Sequence, residues 1–192
     1  MFRTRALAVA AIATTALALT ACGSDSLSQG SSSSASATTS ASAPTVDPAL
    51  VAKLPAKIKD AGTINIGTDA TYQPNEYLDA DGKTVIGMDV ELFDAVMAKF
   101  GIKTEWVPTG FDQIILGVKS GKYDVGVSSF TVNADREKEA TMVSYFTAGT
   151  QWVTQKGNPK KVDPASACGL NIAVQKATVQ ADVDLPKRSK DC

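Results

Sequence analysis

The sequence predicts an α/β fold, a parallel sheet with helices on its faces. Three observations support this. Short β-rich runs alternate with stretches of helical spacing in the order strand, helix, strand, helix, strand, helix. The joints between them carry glycine, proline and Asp-Gly turn signals. One run, Tyr123 to Val127, reads as a strand buried on both faces when it sits centrally in a parallel sheet.

Taken in order, Thr63 to Gly67 follows Gly62 as a short strand. A loop with Pro74 spans residues 68–77, and Asp81-Gly82 marks a turn. Asp89 to Phe100 is predicted as a helix, with Asp89 as its N-cap, Gly101 beyond its end, and Val90, Phe93, Met97 and Phe100 on one face. Lys103 to Val107 is a strand, and Asp112 to Ser120 is a helix stopped by Gly121. After Tyr123 to Val127 come a short charged helix, Ala134 to Ala140, strands at Thr150 to Gln155 and Leu170 to Val174, and a helix from Thr178 onward. Trp106 and Trp152 read as packing residues. We see no internal repeat. Parallel sheets bind ligands beyond the C-terminal ends of their strands. The candidate loops are therefore Thr68–Glu76, Ser128–Arg136 and Gln175–Val179.

Composition narrows the function. The 192 residues are 44% hydrophobic and 20% charged, with 19 basic and 20 acidic side chains. A net charge of −1 argues against a nucleic-acid partner, which needs a basic surface. The chain has no histidine, which excludes Ser-His-Asp and Cys-His catalysis and His-ligated zinc. No P-loop motif is present. We expect no metal and no cofactor. An exported binding protein, a small histidine-free enzyme or a surface structural protein remains.

The first residues read as an address. Arg3 and Arg5 precede an apolar run from Ala6 to Leu19, which ends in Leu19-Thr20-Ala21-Cys22. This pattern is a secretory signal peptide over residues 1–21, and the run falls short of the ~20 residues a membrane span needs. The ending resembles the lipobox of bacterial lipoproteins. The resemblance implies a lipid on Cys22, cleavage before it, and anchoring at the outer face of the cytoplasmic membrane. Residues 22–50 are rich in Ser, Ala and Thr, have little to bury, and read as a flexible tether with a reach on the order of 30 Å. Cys168 and Cys192 then form an even pair in an oxidising compartment. Their disulfide would close a loop of about 25 residues and contribute about 3 kcal/mol. Two free thiols, or another partner for Cys192, are the alternatives.

Five stretches carry a family resemblance. They are Gly67-Thr68-Asp69-Ala70-Thr71-Tyr72-Gln73-Pro74, Gly87-Met88-Asp89-Val90-Glu91-Leu92, Ser120-Gly121-Lys122-Tyr123-Asp124-Val125, Thr131 through Arg136, and Ala173-Val174-Gln175-Lys176-Ala177-Thr178. In this order and spacing the chain resembles the family 3 solute-binding proteins that serve ABC importers of amino acids. The resemblance implies a type II periplasmic-binding-protein-like, two-lobe α/β fold. The first lobe, residues 51–148, is near complete, and the second, residues 149–192, is incomplete. It implies that the chain is C-terminally truncated and, as written, binds amino acids weakly or not at all. It also implies a lipid-anchored monomer that captures a free amino acid and docks on ABC permease subunits.

The resemblance assigns roles residue by residue. Arg136 would hold the ligand carboxylate with its guanidinium fork. Thr131 would add a backbone N–H to the carboxylate and a hydroxyl near the ammonium, and the Ser129 carbonyl would lie beside the ammonium. Tyr72 and Phe111 would sandwich the aliphatic part, and Asp69 would reach the ligand side chain. Thr178 and Val179 would offer N–H groups from a helix start in the second lobe. Gln175 stands where some relatives carry a cation, and Asn75 where the family has an aromatic. Without the resemblance, Arg136 reads as a solvated helix face, Tyr72 as a packing aromatic and Asp69 as a loop cap. Two other functions fit the same residues. One is a non-transport sensor or structural envelope lipoprotein. The other is a dehydratase-like enzyme on this fold, with Asp69 as its general acid or base.

Overall fold

The computed structural model describes residues 44–192; Cys22, the expected signal peptide and most of the expected tether lie outside them. The first helix, α1 (Pro48–Val51), starts just ahead of the expected boundary. Asp47 caps it by accepting the Ala49 N–H at 2.8 Å, and Pro48 presets its first turn. After α2 (Ala56–Ala61) comes β1 (Thr63–Thr68). Three short strands, β2 (Thr71–Tyr72), β3 (Glu76–Leu78) and β4 (Val85–Ile86), form an antiparallel sheet in that order. Then come α3 (Met88–Phe100), β5 (Lys103–Pro108), α4 (Phe111–Ser120), β6 (Val125–Gly126) and α5 (Ala134–Glu137). A 3₁₀ turn at Pro164–Ser166 and a π-helical turn at Gln180–Asp184 precede α6 (Leu185–Lys190).

The parallel sheet has the order β5-β1-β6. Thr63 to Thr68 pair one for one with Lys103 to Pro108, and Ile66 and Gly67 pair with Val125 and Gly126. Ile66 in the central strand and Ile114 in α4 are both wholly buried, and a Cβ at Gly126 of β6 would come within 2.5 Å of the Ile114 side chain. Tyr123 lies against both elements, and glycine makes room for it. A Cβ at Gly67 would come within 2.6 Å of the Tyr123 ring, and one at Gly117 within 2.4 Å. Gly87 has a positive φ of 129°, and a Cβ there would lie 2.2 Å from the Asn75 carbonyl. That close approach lets the N–H groups of Met88 and Asp89 donate to the Pro74 and Asn75 carbonyls at 3.1 and 3.0 Å.

Several expectations need correction. Asp89 does not cap α3. Gly87 holds the cap position, and Asp89 sits in the first turn, 1% exposed. Residues 150–155 and 170–174 form no strand. Extended backbone becomes a strand only when a neighbour supplies ladder hydrogen bonds, and neither stretch has one. The expected strand Tyr123–Val127 pairs only at Val125 and Gly126, and the charged helix is one turn, Ala134–Glu137. Cys168 and Cys192 form a disulfide, with Cα atoms 5.5 Å apart.

Two substitutions test this packing. Ile114→Ala should lower the unfolding free energy by about 2–5 kcal/mol through the cavity it leaves. Gly117→Ala should lower it by about 1–3 kcal/mol by driving a methyl into the Tyr123 ring. Urea midpoints equal to wild type would contradict both contacts.

Candidate functional site

The C-terminal ends of β1, β5 and β6 deliver three loops to one edge of the sheet, and the candidate side chains gather there. Asp69 follows β1 directly and is 6% exposed. Its carboxylate accepts from the Thr71 hydroxyl at 2.7 Å, the Phe111 N–H at 3.0 Å and the Gln175 amide at 2.8 Å. All three donors are neutral. The other end of the Gln175 amide accepts the Tyr72 hydroxyl proton, so Gln175 spans Asp69 and Tyr72. Burial, then the charges of Asp69 and Glu76, push the Tyr72 hydroxyl up to about 12, with Arg136 acting in the opposite direction.

Arg136 reaches the same edge from α5. Asn133 caps that turn by accepting the Arg136 N–H at 2.9 Å. The guanidinium donates to the Thr131 carbonyl at 2.7 Å and to the Ala177 carbonyl at 2.8 Å. It lies over the Phe111 and Phe130 rings at 5.5 and 5.2 Å, and those rings stack at 4.3 Å. The Tyr72 ring stands 6.0 Å from Phe111. Among the described residues Arg136 forms no salt bridge. Burial lowers its pKa from the usual arginine value, against the charges of Asp182 and Tyr72.

A polar cluster backs the third loop. Ser128 accepts the Asp69 N–H at 2.9 Å and donates to Glu76 Oε1 at 3.2 Å. Ser129, at a left-handed φ of 49°, donates to Glu76 Oε2 at 3.1 Å and accepts from the Asn75 amide at 3.0 Å. The Tyr145 hydroxyl accepts the Ser129 N–H at 3.2 Å and donates to Asp89 Oδ2.

The structure therefore brings Asp69, Tyr72 and Gln175 into one hydrogen-bonded set, and Phe111 and Arg136 into one stack. Thr131 joins through its carbonyl. The Thr178 hydroxyl is spent locally, donating to the Gln175 carbonyl at 2.7 Å and accepting the Ala181 N–H at 3.2 Å. Val179 follows at the start of the helical turn. Ser129 belongs instead to the cluster around Glu76. A separate hollow of about 650 Å³, lined by Trp152, Val153, Leu170, Ile172 and Arg188 among others, contains none of these residues.

Sequence reading passed over Glu76, Ser128, Phe130, Tyr145 and the Ala177 carbonyl. Strands of two or three residues give Glu76 no periodicity to betray its burial. The Ala177 carbonyl carries no side-chain signal, and Phe130 reads only as one more aromatic. Its place beside Ser129 in a candidate loop was the available clue.

Comparison with known proteins adds the family context. The model for bacterial extracellular solute-binding proteins, family 3, matches residues 64–189. The arginine-binding protein ArgT of Corynebacterium glutamicum is 31% identical over 145 residues, which cover 76% of this chain and 47% of that protein. The lysine/arginine/ornithine-binding periplasmic protein of Escherichia coli is 32% identical over 130 residues, covering 67% and 50%. The chain thus spans about half the length of the curated relatives it matches. An arginine-bound, truncated ArgBP from T. maritima is 30% identical over 43% of this chain and 38% of that one, with a TM-score of 0.41.

Removing the amide that links the first loop to residues 175–179 checks the geometry. Gln175→Ala should cost about 1–2 kcal/mol of stability, because Asp69 loses a donor and Tyr72 an acceptor. An unchanged denaturation midpoint would contradict the contact.

Proposed function

The chain belongs to the bacterial extracellular solute-binding proteins of family 3, and on that premise we propose that it captures a free amino acid and passes it to an ABC importer. One observation carries the reading. Arg136 is half-buried, has no carboxylate partner among the described residues, and sits beside an aromatic wall at the strand ends. A free amino acid is a zwitterion, and a guanidinium fork binds both oxygens of its carboxylate. That carboxylate would replace the weaker main-chain carbonyls of Thr131 and Ala177. Tyr72 and Phe111 would flank the ligand's carbon chain.

The side chain we favour is cationic. Asp69 is a buried carboxylate with only neutral donors, and a ligand ammonium or guanidinium displacing Gln175 would give it a charge-assisted partner. The named ligands of the two curated relatives, arginine and lysine/arginine/ornithine, agree with that choice. Residues 51–148 would form the first lobe and residues 149–192 part of the second. Gln175, Lys176 and Ala177 already reach across to Asp69, Asp112 and Arg136. Ligand-driven closure of the lobes would present one face to the permease. In this reading the protein binds and does not catalyse, acts as a monomer, and is held outside the cytoplasmic membrane by a lipid on Cys22.

An NMR titration with arginine, which reads affinities from micromolar to millimolar, tests the assignment. Arg136→Ala should weaken binding by about 2 kcal/mol or more, roughly thirtyfold. An affinity equal to wild type would remove Arg136 from the site.

A further inference from the structure

Behind the Ser128–Ser129 turn lies a sealed pair of carboxyl groups that amino-acid capture does not itself use. Glu76 and Asp89 are 0% and 1% exposed, and both lie against the Ser129 hydroxyl, which is 3.1 Å from Glu76 Oε2 and 3.5 Å from Asp89 Oδ2. Two buried carboxylates side by side repel, and such pairs settle by sharing a proton. The surrounding donors show the need for one. Ser128 and Ser129 serve the two Glu76 oxygens, and Tyr145 serves Asp89 Oδ2. Asp89 Oδ1 is buried and has no donor among the described residues. An orphaned buried acceptor is costly, and a proton between the carboxyls removes the cost.

We propose that Glu76 and Asp89 share one proton, and that this proton braces the Ser128–Ser129 turn so that the turn's geometry follows proton occupancy. Ser129 is the sensitive point. A non-glycine residue at φ 49° persists only when its surroundings hold it, and here Glu76, Asn75 and Tyr145 do so. A second anion in the pocket would drive these contacts apart. The disturbance would reach Asp69, whose N–H rests on Ser128. Glu76 and Asp89 thereby act as positioning residues for the captured ligand, a consequence that rests on the proposed function.

The groups facing Glu76 are Asp89 from α3, Tyr72 across the β2–β3 ladder and Tyr145 from the segment after α5. Burial first, then the hydrogen bond and charge of Asp89, hold the Glu76 carboxyl up to about 8. Tyr72 and Tyr145 are both raised and keep their protons through that range. The folded value lies above the ordinary 4.5, so the brace's contribution to stability is complete below about 4.5 and is lost as pH rises through about 8.

Infrared and NMR titration of the full chain from about pH 6 to about pH 9.5 tests the brace. The chain has no histidine to obscure that window. We expect a protonated-carboxyl band that disappears near pH 8, and a Ser129 amide resonance that shifts with the same midpoint. Glu76→Gln should remove the band and leave the Ser129 amide insensitive to pH. If that variant does not fold, the wild-type titrations decide alone. No protonated-carboxyl band at the low-pH end, or a Ser129 amide that ignores pH, overturns the proposal. Arginine affinity measured at both ends of the range separates the two readings. A titrating Ser129 with no arginine binding at any pH supports the brace and counts against amino-acid capture by this chain. Equal binding at both ends with a silent Ser129 sinks the brace alone.

Discussion

A guanidinium held half out of water is the interaction on which the site depends. Arg136 has exchanged part of its hydration for two main-chain carbonyls and the faces of Phe111 and Phe130. Carbonyls are weaker partners than a carboxylate, which is why the proposed ligand would displace them. Its position is inherited from other elements. Asn133 sets the turn that carries it. Asp69 sets Phe111 by accepting its N–H, and Thr131 and Ala177 fix its two edges.

These elements converge because the sheet fixes the points from which their loops depart. β1 is paired on both sides, and its C-terminal end releases Asp69 beside the ends of β5 and β6. The close approach of Tyr123 to Gly67 and Gly117 locks α4 against that strand, and α4 begins with Phe111. The site is thus an outcome of the sheet's ends. The loops depart from fixed points, and hydrogen bonds to Asp69, Ser128 and Gln175 tie them together.

Much of this was legible in the sequence, for identifiable reasons. The three frame strands and two long helices show clear periodicity and are bounded by glycines such as Gly62, Gly101 and Gly121. They appear within a residue or two of where they were expected, apart from the shorter β6. The disulfide followed from cysteine parity and compartment. Asp89 was misread because an acidic residue at a helix start resembles a cap, while Gly87 was needed there for its close approach to Asn75. The stretches 150–155 and 170–174 have strand composition, but composition cannot supply a ladder partner. Glu76 was invisible because its burial comes from long-range packing against Ser128, Ser129 and Asp89. Only the family resemblance points to the Arg136 cluster, since its own neighbours Asp135, Glu137, Lys138 and Glu139 suggest a wet helix face.

The central claim is that the site recognises a ligand's carboxylate by its charge. Calorimetric titration with L-arginine and with its methyl ester isolates that charge, because the ester keeps the ammonium and the side chain. The account predicts that the ester binds at least tenfold more weakly, about 1.4 kcal/mol. Equal affinity for the two would contradict it.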